Sequence, residues 1–242
     1  MFIDLKTDIL DAAEKGDIEG IKRTLKKSID LNIFLPIINA QDEKGRSALH
    51  LAINTRTVGV ATLLLDSGSE VNTSTNEKDD YEGETPLISA SARGFNELVN
   101  KLLQKGAIVN AMKKNKEDAA SFAASNGHLE TLKLLIRKDP SVADRQGFYG
   151  TTPLSWAARN GQLEMVKYLI ENYNPRINIQ DDNNETPLIL AAYENHPKVV
   201  EYLLNKGAYA SIKGYRGKTA LEWAMEENNK EVIKIIKEHI EK

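Results

Sequence analysis

The sequence predicts an all-α solenoid of stacked helix-turn-helix units joined by hairpin-like loops. One motif, which reads Thr-Pro-Leu in three of its copies, begins at Ser47, Thr85, Asp118, Thr152, Thr186 and Thr219. Successive copies lie 38, 33, 34, 34 and 33 residues apart. A period near 33 residues indicates repeats that stack on one another, rather than one core built around one active site.

Composition supports the same class. Aromatic residues make up only 6% of the chain, and Ala-Ala and Leu-Leu pairs recur, as expected where many short helices pack closely. The net charge is -3, and the sequence has no long basic run to neutralise the phosphates of a nucleic acid. The chain has no cysteine, so disulfides, thiolate nucleophiles and cysteine-based zinc sites are excluded.

Membrane and export signals are also missing by the usual rules. Charges at Asp4, Lys6 and Asp8 interrupt the N-terminus, and no run of 18 apolar residues occurs. We therefore expect a cytoplasmic protein, with export into a host cell, by a signal that these rules do not detect, as the alternative.

The copy beginning at Thr152 illustrates how each unit folds. Thr152 is suited to cap a first helix, Pro153 fits its first turn, and Gly161 ends it in a left-handed conformation. A second helix follows with an apolar face at Leu163, Val166, Leu169 and Ile170. Because such short helices are marginal alone, each unit must bury its apolar face against the next.

Several copies of the motif share residues beyond the tripeptide, at the same positions of the repeat. The copy at Ser47 continues Ser-Ala-Leu-His-Leu-Ala, and the copy at Thr186 ends in Leu-Leu-Asn-Lys-Gly-Ala. These motifs resemble ankyrin repeats, and the resemblance covers nearly the whole chain. It implies a single ankyrin repeat domain spanning residues 1-242, with about seven repeats. The expected repeats are residues 4-32, 42-74, 80-112, 113-145, 147-179, 181-213 and 214-242.

Two insertions interrupt this period, at about residues 33-41 and 75-79. The first is apolar between Ile33 and Ile38, and it either packs back over the N-terminal repeats or exposes an apolar patch for a partner. The second is polar and is expected to lengthen a hairpin loop.

The first and last repeats are atypical, as terminal caps would be. A chain with both caps and no attached catalytic domain would suit an adaptor, an inhibitor or a host-directed effector. The alternative function is a structural homo-oligomer that associates through the apolar 33-38 insertion.

Catalytic chemistry is not indicated. No pair among the four histidines has metal-ligand spacing, and neither a phosphate loop nor a nucleophile elbow occurs. The resemblance implies that His50 bonds to a neighbouring turn. We expect no enzyme activity, no cofactor and no metal.

The resemblance implies a protein-binding surface made of the hairpin tips and the ends of the first helices, along one concave side. Most such positions carry small or charged residues, and the aromatic exceptions suggest anchors. The expected protein-binding residues are Tyr81, Arg93, Phe148, Tyr149, Arg159, Asn160, Tyr193, Glu194 and Tyr215.

Phe148, Tyr149, Arg159 and Tyr193 are the candidate centre of this surface, unless Phe148 or Tyr149 folds over the neighbouring tip. Trp156 and Trp223 are assigned to the core. The expected partner is an unidentified protein, bound by a monomer that contacts neither nucleic acid nor membrane.

Overall fold

The computed structural model describes residues 2-76 and 82-241, which contain 15 α-helices and three short 3-10 turns. The helices belong to two compact units, one ending at Ala119 and the other beginning at Ala120. Extended pairing among the described residues is limited to two isolated bridges, Gln41 with Ser47 and Met112 with Asp118. The predicted all-α class is therefore confirmed.

The first unit is made of helix pairs that follow one another along the chain. Its helices are α1 (Phe2–Lys15), α2 (Ile18–Asp30), α3 (Phe34–Ile38), α4 (Ala48–Asn54), α5 (Val58–Asp66), α6 (Pro86–Ala92) and α7 (Asn96–Gln104). The first helices stack as α1 on α4 and α4 on α6, and the second helices α5 and α7 also touch. Each repeat thus buries its apolar face against its neighbour.

The second unit repeats the arrangement with fewer interruptions. Its helices are α8 (Ala119–Ser125), α9 (Leu129–Lys138), α10 (Pro153–Arg159), α11 (Leu163–Tyr173), α12 (Pro187–Tyr193), α13 (Pro197–Asn205), α14 (Ala220–Glu226) and α15 (Lys230–Ile240). First helix α12 contacts both α10 and α14, and second helix α13 contacts both α11 and α15.

The motif threonines cap their helices as expected. The hydroxyl of Thr152 accepts the backbone N–H of Ser155 at 3.2 Å, and Pro153 occupies the first turn of α10. The same bond forms at Ser47, Thr85, Thr186 and Thr219. The repeated tripeptide is therefore a helix-start signal.

Gly161 ends α10 with a φ of 68°, which confirms the expected left-handed residue. A Cβ at this position would lie 2.5 Å from Nδ1 of His196, so glycine is required for both reasons. The assignment of Trp223 to the core is confirmed, whereas Trp156 is only half-buried.

The apolar insertion packs back on its own unit. It forms helix α3, which contacts α1 and α2, and Ile37 and Ile38 are buried while Leu35 is exposed. Of the polar insertion, Thr75 and Asn76 are described, and the backbone N–H of Thr75 donates to the carbonyl of Glu84 at 3.0 Å. Residues 77-79 lie outside the described part. No helix within residues 2-76 and 82-241 is long and apolar enough to cross a membrane.

Candidate functional site

A groove of about 590 Å³ opens in the second unit, bordered by the first helices α10, α12 and α14 and by two hairpin tips. We call it the C-terminal groove. Its aromatic residues are Tyr193, Tyr215 and Trp223, and its ionisable residues are Arg159, Asp181, Glu185, Glu194, Arg216, Glu226 and Glu227. Five of these groups are acidic and two are basic, so the groove carries excess negative charge.

Four residues expected from the sequence meet in this groove: Arg159, Tyr193, Glu194 and Tyr215. Nε of Arg159 lies 3.3 Å from Oε1 of Glu194. The ring of Tyr193 meets the indole of Trp223 edge to face, with centroids 5.2 Å apart. Tyr193 is 42% exposed and Tyr215 is 51% exposed, so both rings offer surface to a ligand.

The other two residues of the expected centre lie elsewhere. The rings of Phe148 and Tyr149 contact each other at a tilt of 50°, with centroids 4.0 Å apart, and neither lines the C-terminal groove. The carbonyl of Tyr149 accepts the N–H of Asp182 at 2.9 Å, which ties this tip to the next one.

Asn160, Arg93 and Tyr81 complete the expected set. The amide of Asn160 donates to the carbonyl of Ser125 at 2.8 Å. Arg93 belongs to the first unit, where its guanidinium donates to the carbonyl of Ser89 at 2.9 Å. Tyr81 lies outside the described residues.

The tips 147-150 and 214-217 share one unusual backbone conformation. Tyr149 and Arg216 have φ values of 50° and 56°, and each precedes a glycine whose φ is 69°. Two consecutive left-handed residues are costly when the first is not glycine. Here they turn the chain so that Phe148 and Tyr215 hold the same place in their tips.

Glu185 lines the C-terminal groove and is only 8% exposed. Its Oε1 accepts the backbone N–H of Tyr215 at 3.1 Å, whereas its buried Oε2 finds no hydrogen-bond partner among the described residues. A Cβ on Gly214 would lie 2.4 Å from Oε2, so glycine allows this close approach. A buried carboxylate with one free oxygen is uncommon in folded proteins.

Burial raises the pKa of Glu185 to about 7. The Tyr215 N–H opposes this rise, and the neighbouring charge of Asp181 adds to it. The indole N–H of Trp223 also lowers the pKa somewhat, although its geometry falls short of a hydrogen bond. The carboxyl therefore titrates in the neutral range.

Asp181 is the second carboxyl of the same hairpin. Its Oδ1 accepts the N–H groups of Asn183 and Glu185, both at 2.9 Å. Burial raises its pKa above the ordinary value, against these two hydrogen bonds. No described lysine or arginine forms an ion pair with Asp181 or with Glu185.

The set expected from the sequence did not include Asp181, Glu185 or Trp223. Trp223 was assigned to the core, and it is buried, yet one part of it lines the groove. The available signal for Glu185 was its place directly before Thr186, at the tip of a hairpin. That signal was weak because Glu84 and Glu117 occupy the same place elsewhere.

His50 has the expected role in the first unit. Its Nε2 lies 3.2 Å from the carbonyl oxygen of Glu84, to which it donates, and its Nδ1 accepts the N–H of Ser47 at 3.2 Å. Burial lowers its pKa to about 4. The described residues hold no group of three or more metal-ligating side chains.

Comparison with known proteins gives one consistent family. The family model described as ankyrin repeats matches in three overlapping copies, at residues 9-113, 97-181 and 173-242. Together these copies span nearly the whole sequence.

Similar curated proteins include Rabankyrin-5 of Mus musculus, 36% identical over 42% of this chain and 10% of that protein. The poly [ADP-ribose] polymerase tankyrase of Caenorhabditis elegans is 31% identical over 49% of this chain and 7% of that protein. The putative ankyrin repeat protein YahD of Escherichia coli is 25% identical over 62% of this chain and 69% of that protein. The chain thus spans a tenth or less of the first two relatives.

Proposed function

The chain belongs to the ankyrin repeat family, and from that premise we propose that it binds a protein partner through the C-terminal groove. Ankyrin repeats are generally non-catalytic modules for protein-protein interaction. Within this proposal the chain acts as a monomer in one of three roles: adaptor, inhibitor or host-directed effector.

The observation that supports this proposal is the meeting of Arg159, Tyr193, Glu194 and Tyr215 in one groove. Tyrosine and arginine side chains that lie near the centre of an interface commonly supply most of its binding energy. Tyr193 is held in place by its contact with Trp223, so little conformational freedom would be lost on binding. Phe148, Tyr149 and Asn160, which belong to the same unit, would extend the interface along the series of repeats.

Self-association through the 33-38 insertion lacks support. Ile37 and Ile38, its most apolar pair, are buried within the first unit. Leu35 and Pro36 remain exposed, and Ile33 and Phe34 are half-buried, but these few residues offer little area against what a stable dimer needs.

The proposal can be tested without knowing the natural partner. A displayed library of random 12-residue peptides is selected on the full chain, and the affinity of the selected peptides is then measured by calorimetry. We expect Tyr193→Ala and Tyr215→Ala each to weaken binding at least tenfold, about 1.4 kcal/mol.

Tyr209→Ala is the matched control, because Tyr209 is an exposed tyrosine of the same unit that does not line the groove. It should leave the affinity unchanged. Peptides whose affinity is insensitive to both groove variants would show that the groove is not the binding surface.

A further inference from the structure

The acidic floor of the C-terminal groove has a specific chemistry that the proposed function does not require. Folded proteins seldom bury a glutamate unless a cation or a full set of hydrogen bonds compensates for the lost hydration. Glu185 is 8% exposed, and its Oε2 is unsatisfied within residues 2-76 and 82-241. The structure thus contains a buried carboxyl group that lacks a counter-charge.

The cations of this region are already engaged with other groups. Arg159 pairs with Glu194, and the Lys218 ammonium pairs with Glu226 while lying 4.3 Å from the centre of the Trp223 ring. The guanidinium of Arg216 lies 5.3 Å from the centre of the Tyr215 ring. Ion pairs within the chain therefore leave Asp181, Glu185 and Glu227 as the acidic groups of the groove, while Arg216, beside the Tyr215 ring, keeps its positive charge.

The carboxyls of Asp181 and Glu185 are positioned on one hairpin. The N–H of Glu185 donates to Oδ1 of Asp181, and none of the described residues donates a hydrogen bond to Oδ2. Asp181 thus accepts hydrogen bonds through Oδ1, and the buried Oε2 of Glu185 has no donor among the described residues. Two such carboxyl groups match the fork of N–H donors on a guanidinium better than they match the single point charge of an ammonium group.

Aromatic rings complete the arrangement. Tyr193 and Tyr215 are both partly exposed, and Trp223 of α14 also lines the groove. A planar cation gains from contact with aromatic faces in a site with little water. The described residues offer no cluster for a metal ion, so an organic cation fits these groups better.

We propose that the C-terminal groove binds an arginine side chain of the partner protein, whose guanidinium is held by Asp181 and Glu185 and flanked by Tyr193 and Tyr215. This inference rests on the proposed function, because it specifies the chemistry of the partner at the same groove. It makes Glu185 a specificity determinant rather than part of the general framework.

The test uses three capped tripeptides as probes, acetyl-Gly-Arg-Gly-amide and its lysine and citrulline counterparts, titrated into the full chain. Binding is followed by NMR through the two indole N–H signals, which Trp156→Phe assigns. We expect the arginine tripeptide to shift the Trp223 signal saturably, with at least tenfold higher affinity than either counterpart. Citrulline removes the charge and keeps the shape, so it isolates the role of the cation.

The same titrations are repeated on Glu185→Gln, and on Glu231→Gln as a control that makes the same charge change away from the groove. Glu185→Gln should remove the preference for arginine over citrulline, and Glu231→Gln should preserve it. Folding of each variant is checked by its unchanged amide spectrum. The citrulline comparison requires no mutation, so a variant that failed to fold would still leave the test decisive.

Equal binding of arginine and citrulline, or no binding of arginine at 50 mM, would overturn the inference. Equal binding of lysine and arginine would overturn the assignment to a guanidinium. An arginine preference that survives Glu185→Gln would also contradict it. The proposed function is judged separately, since selected peptides could depend on Tyr193 and Tyr215 while carrying no arginine.

Discussion

Glu84 in the first unit and Glu185 in the second occupy equivalent positions, each directly before a helix-capping threonine, and each is 8% exposed. The hydroxyl of Ser89 donates a hydrogen bond to the carboxylate of Glu84. The residue equivalent to Ser89 in the later repeat is Leu190, and Oε2 of Glu185 is left unsatisfied. One difference on the following helix turn thus separates a glutamate with a side-chain donor from one whose second oxygen has none among the described residues.

The two units should also respond to pH in opposite directions. In the first unit, burial lowers the pKa of His50 to about 4, so the folded state resists protonation there. In the second unit, burial raises the pKa of Glu185 to about 7, so the folded state resists ionisation. Between about pH 4 and pH 7, lowering the pH should destabilise the first unit, and raising the pH should destabilise the second.

The largest expected effect comes from His50. The unfolded chain binds a proton near pH 6.5, while folded His50 stays neutral down to about pH 4. Stability should therefore fall by about 3 kcal/mol as the pH drops from 7 to 4. Urea unfolding of the wild type and of His50→Gln at several pH values measures this as a shrinking difference between the two proteins. A difference in unfolding free energy that stays constant across this pH range would contradict the lowered pKa of His50.

The next effect concerns Ser89. Ser89→Ala removes the hydroxyl that donates to Glu84 and leaves a buried carboxylate short of a donor, at a cost of about 1-3 kcal/mol. Ser91→Ala is the matched control, because Ser91 is equally buried in α6 and its hydroxyl makes no hydrogen bond to the described residues. We expect that control to change the unfolding free energy by less than about 0.5 kcal/mol. If Ser89→Ala and Ser91→Ala lowered the unfolding free energy equally, the Ser89 hydroxyl would not distinguish Glu84 from Glu185.

Glu185→Gln is expected to stabilise the protein. The unfolded glutamate ionises near pH 4.5, whereas the folded one stays protonated up to about pH 7, so the wild type loses stability over this window. Glutamine avoids the loss and keeps an acceptor for the Tyr215 N–H. We expect a gain of about 1-2 kcal/mol at pH 8, discounted because the site borders an open groove, and almost none at pH 4. Thermal unfolding at both pH values checks this, and a gain at pH 4 as large as that at pH 8 would refute the charge argument.

The smallest effect is expected for Gly214→Ala. A Cβ on Gly214 would approach Oε2 of Glu185 to 2.4 Å, and this contact resists alanine. The flexible carboxylate can move away at the cost of its hydrogen bond from Tyr215, up to about 1 kcal/mol. In a Glu185→Ala background that cost should vanish, which a double-mutant cycle of unfolding free energies measures. A cost of Gly214→Ala that persists in the Glu185→Ala background would show that a contact other than Glu185 resists the alanine.

The motif positions could be predicted because their causes are local. Thr152, Pro153 and Gly161 act within one helix turn of their own position, so capping and backbone rules suffice to place them. The role of His50 is not local, since its partner carbonyl lies 34 residues away, and it could be predicted only from the resemblance.

The C-terminal groove could be predicted only in part. Arg159, Tyr193, Glu194 and Tyr215 were identified because their positions in the repeat need no packing role. The importance of Glu185 depends on Leu190, Gly214 and Tyr215 together, which lie in two different repeats. Whether a carboxylate is satisfied is a property of three-dimensional neighbours, and no single motif position reveals it. Phe148 and Tyr149 were expected at the centre, but the contact between their two rings could not be predicted from the sequence.

The matching tips at residues 147-150 and 214-217 suggest that surface loops can be interchanged in this protein. Both begin with a buried glycine, whose N–H donates to the carbonyl four residues later at 2.8 Å in each case. Both then end in two left-handed residues, the second of which is a glycine. Gly-Phe-Tyr-Gly and Gly-Tyr-Arg-Gly are therefore two side-chain choices on one backbone template. Recognition could be redesigned by transplanting such four-residue segments between repeats, while the helices that carry them stay as they are.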